Sequence, residues 1–227
     1  MMDTMLILVR QILQMFLLAG AGYLLFRCKK ITPEGSKTLG NILIYLALPA
    51  VIINGFFVER TPEHMLGILY SGIAAAALLL LSILISRLIF RKDAIAAFAG
   101  AFSNPGFFGI PLILASVGQG AVFYVACFVA FLNIGQWTYG VSILNGQPIR
   151  KGFEPKKLIK APFIIAILIG LILFFSKIQL PSVVTGCLSA IAGLNTPLAM
   201  FTVGIYLAQT DIPGMLRRKS LYCIFGI

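Results

Sequence analysis

The stretch that decides the fold reads Phe102-Ser103-Asn104-Pro105-Gly106-Phe107-Phe108-Gly109-Ile110-Pro111-Leu112. It lies inside an apolar run, residues 94–117, that is long enough to cross a lipid bilayer. Each proline removes a backbone N–H and clashes with the carbonyl one turn earlier, and in hydrocarbon the freed groups need partners from protein or a water-filled cavity. The stretch therefore predicts a discontinuous helix, with one half over 94–103, an unwound segment, and a second half from Pro111. A proline kink in an ordinary helix is the alternative.

The composition is typical of an integral membrane protein, because 59% of the residues are hydrophobic and only 11% are charged. Apolar stretches of spanning length occur at residues 5–26, 38–57, 65–86, 94–117, 120–144, 160–177 and 182–208. The first is a retained helix rather than a secretory signal, since no basic segment precedes it and basic residues follow it. We predict an all-α membrane protein with seven complete transmembrane helices and the start of an eighth at Leu221.

Basic residues alternate between the loops that join these spans. The odd-numbered loops carry most of the Lys and Arg residues, whereas the even-numbered loops hold only Arg60 and Lys177. This alternation predicts a cytoplasmic side for the odd loops and an external N-terminus, in the inner (plasma) membrane of a cell. It also explains the net charge of +11 without nucleic acid as a partner.

No motif in the sequence supports an enzyme. The cysteines show no metal-ligand spacing and are interpreted as small apolar residues. His64, the single histidine, falls in an acidic loop, where a solvated residue is favoured over a proton relay. A Ser-His-Asp set, a phosphate loop and a metal cluster are all absent from the sequence, so we predict neither a cofactor nor a metal.

The fifth span carries amides on a face of small residues. Asn133 shares that face with Ala126, Ala130 and Gly140, and Gln136 borders it. Buried amides of this kind join helices by hydrogen bonds, or line a cavity opposite Asn104, and the sequence leaves both interpretations open.

Proline motifs in the second and seventh spans resemble one another. Leu48-Pro49-Ala50 lies in the second span and Pro197-Leu198-Ala199 in the seventh, and the predicted topology gives these spans opposite orientations. Similar segments of opposite orientation, five helices apart, are what an inverted repeat of five plus five helices would give.

Together these motifs resemble the auxin efflux carrier family. They are Asn104-Pro105-Gly106 with Gly109 and Pro111, Leu48-Pro49-Ala50, and Pro197-Leu198-Ala199-Met200-Phe201. The resemblance implies a ten-helix fold of two inverted five-helix repeats, in which broken helices four and nine cross near the membrane centre. Helices one, two, six and seven would form a scaffold, and the others a transport domain. It also implies export of small organic anions such as indole acetate, malate or malonate.

The chain departs from this family pattern in two respects. Residues 1–147 correspond to the first repeat, but residues 148–227 cover only part of the second, so the sequence looks C-terminally truncated by about 80 residues, or three spans with their loops. In addition, no Asp or Glu lies inside a span. We therefore favour export driven by the membrane potential over proton coupling, which needs an ionisable group in the membrane interior.

These observations predict a secondary transporter that works by alternating access around the broken fourth helix. The end of a half-helix offers unpaired N–H groups and a partial positive charge to a small carboxylate. The predicted substrate-binding residues are Asn104, Pro105, Gly106, Gly109, Pro111, Asn133 and Gln136. A channel and a membrane scaffold that does not transport are the alternatives. The predicted partners are the carboxylate and the lipid bilayer, and a homodimer is one candidate assembly.

Overall fold

The computed structural model describes residues 2–103, 105–146, 159–176, 178–217, 221–222 and 224, and all regular secondary structure in these ranges is helical. The α-helices are α1 (Met2–Arg27), α2 (Pro33–Ile42), α3 (Leu48–Gly55), α4 (Pro62–Ile89), α5 (Ala94–Ala101), α6 (Ile110–Ser116), α7 (Val122–Gly135), α8 (Val141–Leu144), α9 (Pro162–Ser176), α10 (Ser182–Gly193), α11 (Asn195–Ala208) and α12 (Ile212–Leu216). The π-helical segments Leu43–Ala47, Pro105–Gly109 and Gln136–Gly140 and the 3₁₀ turn Gln119–Ala121 adjoin these helices.

Five helical stretches are long and apolar enough to cross a membrane. They are Met5–Arg27, Pro33–Gly55, Pro62–Ile89, Gln119–Leu144 and Ser182–Ala208. The predicted sixth span is the shorter apolar helix α9, and the predicted fourth span is interrupted. The structure thus confirms an all-helical fold with several spanning helices, and the count of seven stays a prediction. Leu221 and Tyr222 are helical, but most of the predicted eighth span lies outside the described residues.

Side-chain caps fix where several helices begin. Thr32 accepts a hydrogen bond from the N–H of Gly35 at 3.1 Å before α2, and Thr61 accepts one from the N–H of His64 at 3.1 Å before α4. In both helices proline occupies the first position, where its missing N–H costs nothing. The α4 helix therefore starts at Pro62, three residues before the apolar run that predicted it.

His64 consequently belongs to the first turn of α4. Its Nδ1 lies 2.7 Å from the carbonyl oxygen of Glu59, and its half-buried ring meets the ring of Phe123 edge-on, with centroids 5.6 Å apart. The prediction of a solvated loop residue is therefore wrong. The local reason is the Thr61 cap, which draws the end of the loop into the helix.

The helices pack in two groups. In the first group α1 lies along α11, and α3 packs against α9 and α10. In the second group α4 packs against α5 and α7. The groups meet where α6 contacts α1 and where α7 contacts α3, around a core that includes Phe56, Phe123 and Phe174. The interrupted fourth span lies at this boundary, because α5 belongs to the second group and α6 touches the first.

The α1 and α11 backbones touch through glycine. A Cβ atom at Gly204 would overlap the carbonyl group of Ala19, and one at Gly22 would overlap the backbone of Phe201. Small residues allow helices in membranes to approach this closely. This contact sets the position of α11 relative to α1. Because α11 also contacts the segment Pro105–Gly109, it sets the side of the first group that faces the interruption.

Candidate functional site

The fourth span is interrupted between Ala101, where α5 ends, and Pro105. Phe102 has an extended backbone, with φ −117° and ψ 105°, and Ser103 follows it without helical structure. The predicted break is confirmed, but its predicted extent is wrong, since helical backbone resumes at Pro105 rather than at Pro111. The fixed φ of proline suits a first helical position, and the wide π turn that follows leaves room for the ring of Pro111.

The amide of Asn195 reaches into this interruption. Pro111 has no N–H, so it cannot donate to the carbonyl of Gly106 five residues earlier, as the π turn would otherwise require. Asn195, at the start of α11, donates its Nδ2 to that carbonyl oxygen at 3.2 Å. Its side chain is only 1% exposed, and no described residue pairs with its Oδ1 atom. A buried amide from the seventh span thus donates to a carbonyl to which Pro111 cannot donate.

A cavity of about 650 Å³ borders the interruption, and we term it the central cavity. Its walls come from α1, α7, α11 and the fourth span, and its lining residues are Met15, Phe16, Ala19, Ser103, Pro105, Phe108, Gly109, Ile113, Val125, Phe128, Met200, Val203 and Leu207. Ser103 supplies the single polar side chain of this set. Pockets for small molecules commonly have this size and an apolar lining with a few polar groups.

A second cavity, of about 520 Å³, lies beside the far half of the fourth span, and we term it the polar cavity. Its walls are Val51, Asn54 and Phe57 near the end of α3, Leu114 of α6, Gln119, and Ser189, Ala192, Gly193 and Thr196 of the seventh span. Asn54 donates its Nδ2 to the hydroxyl of Ser189 at 3.4 Å, which is long for a hydrogen bond. The polar side chains that line this cavity are therefore amides and hydroxyls.

The sequence matches the family model described as "Membrane transport protein" over residues 7–152 and 151–221. The chain belongs to this family. It is the auxin efflux carrier family that the proline motifs indicated. Membership places the chain in a family of membrane transport proteins, and five of its helical stretches are long and apolar enough to cross a membrane.

A relative of this membrane transport protein comes from Rhizobium meliloti (strain 1021) and bears the name "Putative malonate transporter". The two sequences are 26% identical over 215 residues, which is 87% of this chain. The chain spans 66% of the length of that relative.

The structure brings some of the predicted site residues to the central cavity. Pro105 and Gly109 line it, while Pro111 is buried at the start of α6. Gly106 is also buried, and a Cβ atom added there would lie 3.3 Å from Leu48 of α3, so its side faces helix packing rather than the cavity. Asn104 lies outside the described residues.

The two predicted residues of the fifth span do not line the central cavity. Asn133 is half-buried and donates its Nδ2 to the carbonyl of Val129 on its own helix at 2.7 Å. Gln136 begins the π-helical segment Gln136–Gly140. Neither residue lines the central cavity, and a role for them opposite Asn104 stays a prediction.

Asn195 is not among the site residues that the sequence predicted. A signal was present, because an amide stands there in an otherwise apolar span, two residues before the proline that had been singled out, and polar groups inside spans are expensive. No three His, Cys, Asp or Glu side chains in the described ranges come together as a metal site would need. The described chemistry of the site is thus hydrogen bonding by amides, a hydroxyl and freed backbone groups.

Proposed function

We propose that this protein exports small organic carboxylates, with malonate as the first candidate, by alternating access around the interrupted fourth span. The observation that carries the proposal is the central cavity, which touches the interruption and is walled by helices of both packing groups. A cavity between two groups that move relative to each other can open to either side of the membrane in turn. Membership of the transporter family and the name of the Rhizobium relative support the substrate class.

The fold we propose for the intact carrier is a ten-helix inverted repeat, with residues 1–147 as the first five-helix repeat and residues 148–227 as part of the second. Two features support it. The second span changes from the π-helical segment Leu43–Ala47 to α3 at Leu48-Pro49, and a turn at Leu194, just before Pro197, separates α10 from α11 in the seventh span. Helices of spans one, two, six and seven also contact one another, as a scaffold would.

The orientation we propose places the N-terminus outside and the odd-numbered loops in the cytoplasm, with the protein in the inner (plasma) membrane. The alternation of basic residues between loops supports it. In this orientation the polar cavity lies toward the outer surface, because Gln119 and the end of α3 adjoin external loops.

The site recognises a carboxylate through the second half of the fourth span. This half runs from Pro105 to Ser116, and its first N–H groups have no acceptor within the helix. They carry the partial positive charge of a helix N-terminus, which favours an anion, and the hydroxyl of Ser103 adds a donor at the cavity wall. The apolar remainder of the lining contacts the carbon skeleton of the substrate.

The test is malonate efflux from vesicles of cells that express the intact ten-helix carrier, measured for wild type and for Gly109→Leu. Gly109 lines the central cavity, and a Cβ there meets only Pro105 at 3.6 Å, so leucine extends into the cavity and blocks transport. Gly20→Leu is the matched control, because a Cβ at Gly20 on α1 meets nothing within 4 Å. Saturable efflux with counterflow, lost only in Gly109→Leu, supports a carrier. Efflux that rises linearly with concentration would instead mean a channel, and no malonate flux would exclude the proposed function.

A further inference from the structure

The two cavities follow one another along both the fourth and the seventh spans. On the fourth span, the central cavity is bordered by Ser103, Pro105, Phe108, Gly109 and Ile113, and the polar cavity by Leu114. On the seventh span, Thr196 borders the polar cavity, and the central cavity begins at Met200. A molecule that leaves the central cavity along these spans therefore arrives next at the polar cavity.

The hydrogen bond between Asn195 and Gly106 lies at the junction of the cavities. Asn195 directly precedes Thr196, which lines the polar cavity, and Gly106 directly follows Pro105, which lines the central one. The contact joins the seventh span to the interruption and is fully buried, with Asn195 only 1% exposed.

The polar cavity has the groups that a carboxylate needs. Asn54, Gln119, Ser189 and Thr196 come from three separate parts of the chain and offer amide and hydroxyl donors, without a carboxylate among the lining residues. The bond of Asn54 to Ser189, at 3.4 Å, is long enough to yield to a stronger acceptor. Donors facing hydrocarbon would be expensive, so groups of this kind suit a cavity that water or a polar ligand can enter.

We propose that the polar cavity is a second binding site for the transported carboxylate, on its way out, and that the Asn195–Gly106 hydrogen bond closes the passage to it. This inference rests on the proposed function. A charged carboxylate forms stronger hydrogen bonds than a neutral carbonyl does, so a carboxylate at the junction competes with Gly106 for the amide of Asn195. The substrate thereby opens the contact that separates the two sites.

The experiment measures labelling by a charged, membrane-impermeant thiol reagent, with malonate as the probe ligand. Ser189→Cys is made in a protein whose four native cysteines are replaced by serine, and the comparison protein keeps only Cys187. Cys187 lies on the same helix, α10, and is exposed, but it does not line the polar cavity. We expect fast labelling at Ser189→Cys, slowed by malonate, and slow labelling at Cys187 that malonate does not change.

A second pair of variants tests the ligand contacts. Asn54→Leu removes an amide donor, so the malonate concentration that gives half protection of Ser189→Cys should rise about tenfold or more, as for the loss of a hydrogen bond to a charged group. Ile53→Val, on the same helix but outside the lining of the cavity, should leave it unchanged. Should Ser189→Cys not reach the membrane, Thr196→Cys takes its place.

The outcomes separate this inference from the proposed function. Malonate efflux can be saturable while Ser189→Cys is not labelled, or is labelled at a rate that malonate does not slow. Either result overturns the second site and leaves the proposed carrier function standing. Equal protection at Cys187 overturns it as well, since a general change in conformation then explains the effect. Absence of malonate efflux in wild type removes the proposed function, and the second site with it.

Discussion

Asn195 donates its side-chain amide to the carbonyl of Gly106 at 3.2 Å, and this bond joins the seventh span to the interruption of the fourth. The two residues are 89 positions apart, and both are buried. Because Pro111 has no N–H to donate to this carbonyl, the seventh span supplies a hydrogen bond to the backbone of the fourth. A change at Asn195 should therefore affect the stability of the interruption and the contact between the fourth and seventh spans.

Asn195→Leu should destabilise the protein clearly. Leucine has a similar size but removes the amide donor of a buried carbonyl, and loss of such a hydrogen bond costs about 1–3 kcal/mol. Asn133→Leu is the matched control, because the bond of Asn133 to Val129 lies within one helix, whose backbone N–H groups still serve that carbonyl. Thermal unfolding in detergent should show a lower midpoint for Asn195→Leu than for Asn133→Leu. Equal midpoints would mean that the interruption is stable without the amide.

Gly204→Ala should separate α1 from α11. The added methyl group would overlap the carbonyl of Ala19, and backbone cannot turn aside as a flexible side chain can. Overpacking of this kind costs about 1–3 kcal/mol. Gly186→Ala on α10, where a Cβ meets nothing within 4 Å, makes the same change in helix propensity without the overlap and should be neutral or stabilising. A melting temperature for Gly204→Ala at or above that of Gly186→Ala would contradict the close contact.

Cys28 should be inaccessible from outside the cell. It follows α1, in the basic loop that the charge pattern assigns to the cytoplasm, and it is exposed, so a reagent that reached that side would label it. In a protein with Cys28 as its only cysteine, an impermeant thiol reagent should label permeabilised cells and not intact ones. A cysteine at the exposed position Gln119 is the control and should be labelled in intact cells. Labelling of Cys28 in intact cells would reverse the proposed orientation.

The features of the fold that depend on neighbouring residues in the chain were predictable from the sequence. Two prolines and two glycines in an apolar run indicated the interruption, because their effect on a helix does not depend on what surrounds it. Thr61-Pro62 was an equally local signal for the start of α4, but hydropathy alone had placed that start later. The partner of the Gly106 carbonyl could not be predicted in this way, since it depends on how α11 packs against the fourth span. The directions of Asn133, toward its own helix, and of Gly106, toward Leu48, are tertiary facts of the same kind.

The membrane potential should drive export, and a pH gradient should not. No Asp or Glu lies inside a predicted span, and in the structure Asp93 and Asp211 instead cap the starts of α5 and α12. Arg10, inside the first span, cannot release its proton, and His64 lies in the first turn of α4, near the membrane surface. When the cytoplasm is electrically negative, the membrane potential favours outward movement of each negative charge by about 2.3 kcal/mol per 100 mV, equivalent to a gradient of about fiftyfold.

In vesicles with potential and pH clamped separately, malonate efflux should follow the potential at equal pH, and His64→Gln should behave as wild type. Efflux that follows the pH gradient at zero potential, and is lost in His64→Gln, would assign proton coupling to His64 and refute the potential-driven mechanism.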